Sequence, residues 1–251
     1  MASAAFISDI HANLEALTVV LDDIRRHGYG EIYCLGDVVG YGPDPVACTD
    51  LVRRNRRVTI LGNHDEALAK GAWGFNQIAR AAMEWTKREL RPRIFRPGSR
   101  ERWRFLLELP LRHEWQGYLL VHGSPREPTS EYILPRDADW PPPGMFQELF
   151  SSFDNVCLVG HTHIAGVFEE SPRFTPQKSM SEPFRPKGKV IINVGSVGQP
   201  RDNDWRASYL SVEDGLFRFH RVEYPLEITQ QKIRAIPELD VRLADRLKDG
   251  V

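Results

Sequence analysis

The sequence has little cysteine, no long apolar run and almost no net charge. Its three cysteines, Cys34, Cys48 and Cys157, lie far apart. That spacing excludes a disulfide framework and a thiolate zinc knuckle, so the three read as small buried hydrophobes in a cytoplasmic protein. No stretch approaches the length of a membrane span, and no membrane partner is expected. A signal peptide is not expected either, because the first apolar strand begins almost at Met1. A net charge of −1 over 251 residues gives no bulk pull toward nucleic acid and argues against such a partner. Also missing are a phosphate-binding loop ending in Gly-Lys-Ser/Thr, a Gly-x-Ser-x-Gly elbow and a His-Glu-x-x-His helix.

What the chain does have is concentrated. Five short stretches each follow an apolar run: Asp9-Ile10-His11, Gly36-Asp37, Gly62-Asn63-His64-Asp65, His122-Gly123 and Gly160-His161-Thr162-His163. The preceding runs, AAFIS, IYCL, VTIL, YLLV and NVCLV, read as buried strands. Five of the eight histidines fall inside these stretches. Strand ends at one edge of a sheet are where an α/β protein assembles a site. His, Asp and Asn converging there point to a metal centre.

The pattern between the stretches supports that placement. Leu14, Leu17, Leu21 and Ile24 recur at helical spacing, which predicts a helix over residues 13–26 ended by Gly28 and Gly30. Asp44-Pro45 opens a second helix as cap and first-turn proline. Strand, helix, strand, helix, strand implies a parallel start to the sheet. Residues 66–113 read as a mostly helical flank, 125–143 as a Pro-rich loop able to overhang the site, and 171–189 as an exposed excursion. Asp214-Gly215 joins two alternating runs into a hairpin, and the chain from 226 reads as helical with a break at Pro237. A single domain spanning 1–251 is expected.

The chemistry of the stretches fits two divalent ions. Asp9 and His11, two residues apart, can reach one ion together. Asp37 offers two oxygens and suits bridging. Asn63 adds a neutral oxygen, and His122, His161 and His163 add imidazoles. Imidazole and carboxylate without thiolate suit manganese, iron, zinc or cobalt.

The order of these motifs, from Ser8-Asp9-Ile10-His11 to Gly195-Ser196, resembles the calcineurin-like metallophosphoesterase superfamily. GDVVGYGPDP, VHGSP and NVGSVGQPRD look closer still to a bacterial phosphodiesterase-like branch that includes dinucleoside polyphosphate hydrolases. The resemblance implies an α/β fold with two mixed β-sheets packed face to face between flanking helices, in four layers. It implies two divalent ions, manganese, iron or zinc. Asp9, His11 and His163 would hold the first, Asn63, His122 and His161 the second, with Asp37 between. His64 would be the general acid or phosphate contact, with Asp65 orienting its ring, while a hydroxide between the ions attacks phosphorus. The substrate would be a small phosphodiester or nucleotide. One departure is Ala12, where the family usually has glycine.

Blander readings stand beside these. Asp65 can instead cap a helix at Glu66, and Arg126 and Arg201 can be surface ion pairs instead of phosphate contacts. Tyr41 and Tyr132 can flank a substrate or pack a loop. Trp140 reads as loop packing, and His27, His113 and His220 as surface or structural. The arginines at 53–57 complement a helix C-terminus. Other functions open at this point are a Ser/Thr protein phosphatase and a non-catalytic scaffold of the same fold.

Overall fold

The computed structural model describes residues 3–251. β1 (Ser3–Ile7), α1 (Leu14–His27), β2 (Glu31–Cys34), α2 (Pro45–Asn55) and β3 (Val58–Thr59) open the chain as two strand–helix–strand units. α3 (Asn63–Lys70), α4 (Gln77–Leu90) and α5 (Ser99–Leu107) follow. Then come β4 (Arg112–Trp115), β5 (Tyr118–Val121), α6 (Pro135–Asp139), α7 (Met145–Ser151) and β6 (Val156–Val159). β7 (Gly166–Glu169), β8 (Arg173–Pro176), β9 (Val190–Asn193), β10 (Ala207–Glu213) and β11 (Leu216–Val222) complete the strands, and α8 (Leu226–Arg234) and α9 (Arg242–Asp245) close the chain.

Among the described residues the strands form two mixed sheets, ordered β11-β10-β1-β2-β3 and β4-β5-β6-β9-β7-β8. The alternation of side chains explains how they stack. Ala4 and Phe6 join Leu120, Val156, Leu158 and Ile192 in a core between the sheets. Ala5 and Ile7 point the other way, onto Leu17, Val20, Leu21 and Ile24 of α1. On the second sheet, Cys157 and Val159 face Phe146, Leu149 and Phe150 of α7. Strands buried on both faces read as continuous apolar runs, which is why the five runs stood out. The outcome is helices, sheet, sheet, helices, as the resemblance implied. No helix is long and apolar enough to cross a membrane.

Several local expectations need correcting. α3 starts at Asn63, and the α4–α5 flank ends in β4, an antiparallel partner of β5 that lacks an apolar run. The excursion at 171–189 contains β8, which pairs with β7 at a sheet edge. The loop at 125–143 contains α6. Trp140 does not pack but is 83% exposed. Asp44 stands at the cap of α2 but makes no capping bond. Its carboxylate accepts from Lys232 Nζ at 2.8 Å instead.

Candidate metal centre

The five stretches meet at one edge of the sheet pair. β1, β2 and β3 deliver Asp9, His11, Asp37 and Asn63; β5 and β6 deliver His122, His161 and His163. His11 Nε2 and His163 Nε2 come within 3.1 Å although 152 residues separate them. Ligand-type atoms of Asp9, His11 and His163 form one group, and those of Asp37, His122 and His161 form another. Asn63 joins the second group, its Oδ1 3.1 Å from His122 Nε2.

Each carboxylate is fixed by one oxygen and offers the other. Asp9 Oδ2 accepts the backbone N–H of His161 at 3.0 Å, while Oδ1 is buried with no hydrogen-bond partner. Asp37 Oδ1 accepts the backbone N–H of His64 at 2.8 Å. Its Oδ2 lies 3.7 Å from His11 Nε2 and 3.4 Å from His122 Nε2, so one atom faces both groups. Gly160 and Gly62 permit this closeness. A Cβ on Gly160 would fall 2.0 Å from Ser8 Oγ, and one on Gly62 would fall 2.1 Å from Asp37 Oδ1.

The rings are fixed the same way. Nδ1–H of His11, His122 and His163 donates to the carbonyls of Val39, Leu35 and Gln199 at 3.2, 2.7 and 2.5 Å. A carbonyl only accepts, so each Nε2 is left facing inward. His161 is turned about, with Nε2–H donating to Ser130 O at 3.1 Å. Burial pulls His11 and His163 below their usual range, leaving both neutral. Two facing Nε2 lone pairs at 3.1 Å, beside an orphaned carboxylate oxygen, call for a cation. The residues therefore fit metal ions.

The charges agree. Burial raises Asp9, but His163 outweighs it and holds the carboxyl well below the usual range. Burial likewise opposes ionisation of Asp37, and His122 and His64 overcome it. Burial disfavours charge on His122, yet Asp37 wins and pushes the imidazole up to about 9. A proton on His122 Nε2 thus stands where an ion's charge would otherwise balance Asp37.

The backbone is strained at these positions. Asp9, His11, Asp37, His161 and His163 have φ of 52°, 47°, 52°, 66° and 61°, and Ala12 and Tyr41 have 53° and 59°. The left-handed region costs a non-glycine residue about 1–2 kcal/mol. Crossed bonds hold it: His11 N donates to Asp37 O at 3.0 Å and Ala12 N to Val38 O at 3.0 Å. Ala12 occupies a conformation that glycine adopts without strain, which gives the family's usual residue a physical reason.

His64 sits against the centre, its ring walled by His11, Tyr41 and Phe75 at 4.8, 4.5 and 4.7 Å between centroids. Its Nδ1 is buried and unpartnered, and burial pulls the ring down to about 4. Asp65 does not reach that ring. Its carboxylate accepts from Val38 N at 3.1 Å and Gly62 N at 3.3 Å, tying the start of α3 to the turn after β2. Burial, aided by the nearby Asp37 charge, pushes Asp65 up to about 8.

Of the proposed substrate contacts, three are at the centre and one is not. Tyr41 packs on His11 at 4.7 Å, and Tyr132 packs on His161 at 3.8 Å. The Arg201 backbone N–H donates to His163 O at 3.1 Å, and its guanidinium reaches Gln199 Oε1 at 2.8 Å, leaving Nε unpartnered. Arg126 is spent on Glu131 and Glu148, so its charge is already balanced away from the centre. Sequence reasoning missed Arg246. Burial and the neighbouring Arg201 guanidinium pull it below its usual range, and Tyr41 is close enough to oppose that. No motif surrounds Arg246, since it arrives from the far end of the chain.

A family model for calcineurin-like phosphoesterases matches residues 3–192. An uncharacterised protein of Methanocaldococcus jannaschii is 36% identical over 238 residues, covering 91% of this chain and 90% of its own. A solved metallophosphoesterase from Sphaerobacter thermophilus is 39% identical, with TM-score 0.83 over 99% of this chain and 100% of that one. A hypothetical protein from Pyrococcus horikoshii shares the fold at 20% identity, with TM-score 0.76 over 100% of this chain and 99% of that one.

Proposed function

The chain belongs to the calcineurin-like phosphoesterase family, and we propose that it is a dinuclear-metal-dependent hydrolase of phosphodiesters or nucleotide phosphoanhydrides. One observation carries the reading: Asp37 Oδ2 faces both ligand groups, between two otherwise complete sets of side chains. Asp9, His11 and His163 would hold one ion, and Asn63, His122 and His161 the other. Such ions supply Lewis acidity, activating water and offsetting charge on the phosphoryl oxygens. Manganese, iron or zinc suits this donor set.

The chain's own groups do the rest. Arg201 lies next to His163 with a donor to spare and would bind a phosphoryl oxygen. His64, neutral near pH 7, carries one N–H that can donate to the leaving oxygen. The anionic phosphate would raise its pKa on arrival, so that the ring takes up a proton from solvent and, as imidazolium, can hand it to the leaving oxygen. In the overall reaction, a water oxygen bonds to phosphorus and the P–O bond to the leaving group breaks. One proton ends on the released oxygen. The walls formed by Tyr41, Tyr132 and Phe75 restrict water around that step.

A non-catalytic scaffold has against it that none of the seven ligand positions is replaced. The free, buried Cys34, Cys48 and Cys157 support a reducing cytoplasmic setting. The test is hydrolysis by metal-stripped protein given Mn²⁺, on bis-p-nitrophenyl phosphate, p-nitrophenyl phosphate and diadenosine tetraphosphate. Mn²⁺-dependent turnover favouring the diester or dinucleotide is expected. Preference for the monoester would count against the reading.

A further inference from the structure

A cleft of about 950 Å³ opens beside the centre, between the start of α6, the β8 excursion and the segment 201–206. Arg201 belongs to both. Its backbone is bonded to His163, and its guanidinium lies 5.9 Å from the ring of Tyr41, which packs on His11. Ile164, also in the lining, directly follows His163.

The lining has two characters. Ile164, Phe174, Met180 and Trp205 give it an apolar, partly aromatic wall. Its other face is charged, but most of that charge is already balanced. Arg206 is bonded to Asp204 at 2.7 Å, and Arg221 to Asp202. Two cations remain. Arg201 makes its side-chain bond to a neutral amide, and exposed Lys178, on the turn Gln177–Ser179, has no carboxylate partner among the described residues.

Building on the phosphoesterase reading above, we propose that this cleft is the leaving-group subsite. It takes an aromatic group against Trp205, Phe174 and Met180, with a further anionic group on Lys178. The substrate class is therefore a nucleotide-bearing diester or phosphoanhydride. Small-molecule sites span roughly 300–1,000 Å³, so a nitrophenyl group or a serine side chain would leave most of this cleft empty. An aromatic wall beside an unpaired ammonium matches a base with its phosphate. Water's oxygen joins phosphorus, the P–O bond to the nucleotide half breaks, and that half is released into the cleft with one proton on its oxygen.

Steady-state kinetics of the full-length, Mn²⁺-loaded protein tests this on diadenosine tetraphosphate and bis-p-nitrophenyl phosphate. Lys178→Ala should raise KM for the dinucleotide about tenfold, the loss of one charge-assisted contact. Its kcat should stay within about twofold, as for binding shared by ground and transition states. Trp205→Leu keeps the wall apolar and should raise KM about fivefold through lost stacking. Unchanged KM for the dinucleotide in both variants, or hydrolysis of the nitrophenyl diester alone by the wild type, would overturn the subsite and leave the phosphoesterase reading intact. Hydrolysis of neither substrate by the wild type would overturn that reading instead. The cleft is then judged by calorimetric titration with ADP alone. Binding about tenfold weaker in Lys178→Ala supports it, and equal affinity or no binding overturns it.

Discussion

Two clusters in this molecule have the same makeup, one aspartate and two histidines. Asp9, His11 and His163 form one, and Asp23, His27 and His220, between α1 and β11, form the other. In each, the ligand-type atoms lie within 4.8 Å of one another. Their surroundings differ. In the second cluster Asp23 Oδ2 accepts from Tyr209 OH at 2.8 Å, and Oδ1 accepts from Arg26 at 3.3 Å. His220 Nε2 is 2.8 Å from Ser211 Oγ, and its ring stacks on Tyr209 at 4.2 Å. His27 is 47% exposed and bonded to the Asp23 carbonyl at 2.9 Å. The first cluster has a carboxylate oxygen with no partner, two facing lone pairs and left-handed backbone. Proximity and residue type are shared; unmet demand is not. Unmet demand marks the ion site.

The largest test of that contrast removes the oxygen facing both groups. Asp37→Asn should lose bound metal and turnover together, read by elemental analysis and ester hydrolysis; metal retained at the wild-type level would break the assignment. Next, His64→Ala should keep the ions while turnover falls by on the order of 10²–10⁴. Undiminished turnover would remove His64 from the chemistry. Third, Mn²⁺ at about a hundred times its Kd should stabilise the wild type by about 2.7 kcal/mol. That increment should survive in His27→Gln and shrink in His11→Gln, where one of the two ligand groups is broken, by thermal melts. An increment lost in His27→Gln would make the two clusters equivalent.

The last prediction concerns pH. Burial, then the neighbouring His27, pulls His220 down to about 4. The unfolded chain accepts that proton near 6.5. Stability is therefore full above about 6.5 and declines as pH falls toward 4. Melting temperatures of His220→Gln should fall less over that window than those of the wild type. Parallel profiles would show that Asp23, His27 and Arg218 do not set its titration.

Much of this was legible in the sequence, for a physical reason. β1, β5, β6 and β9 are buried on both faces and had to be apolar runs, and the ligands follow β1, β2, β3, β5 and β6 directly. β4, β7 and β8 were not legible. RHEW and RFTP lie on the edge strands, partly solvated, where burial imposes less pattern, and GVFE, buried at three of its four residues, is too short to show one. Partners were hidden too. Arg126 and Arg201 look alike in sequence, and only the carboxylates of Glu131 and Glu148 separate them. Asp65 was assigned to the ring beside it, whereas its oxygens turn back to Val38 and Gly62.

The distance along the chain between His11 and His163 has a kinetic meaning. No segment ending before β6 contains both halves of the first ligand group, and none forms it until the two sheets have docked. Contacts of such long sequence separation form late, after loop closure has been met elsewhere. Ion affinity should thus arise in one late step of refolding. A metal-sensitive dye followed in a stopped-flow cell would then report the docking of the sheets, with no label on the protein.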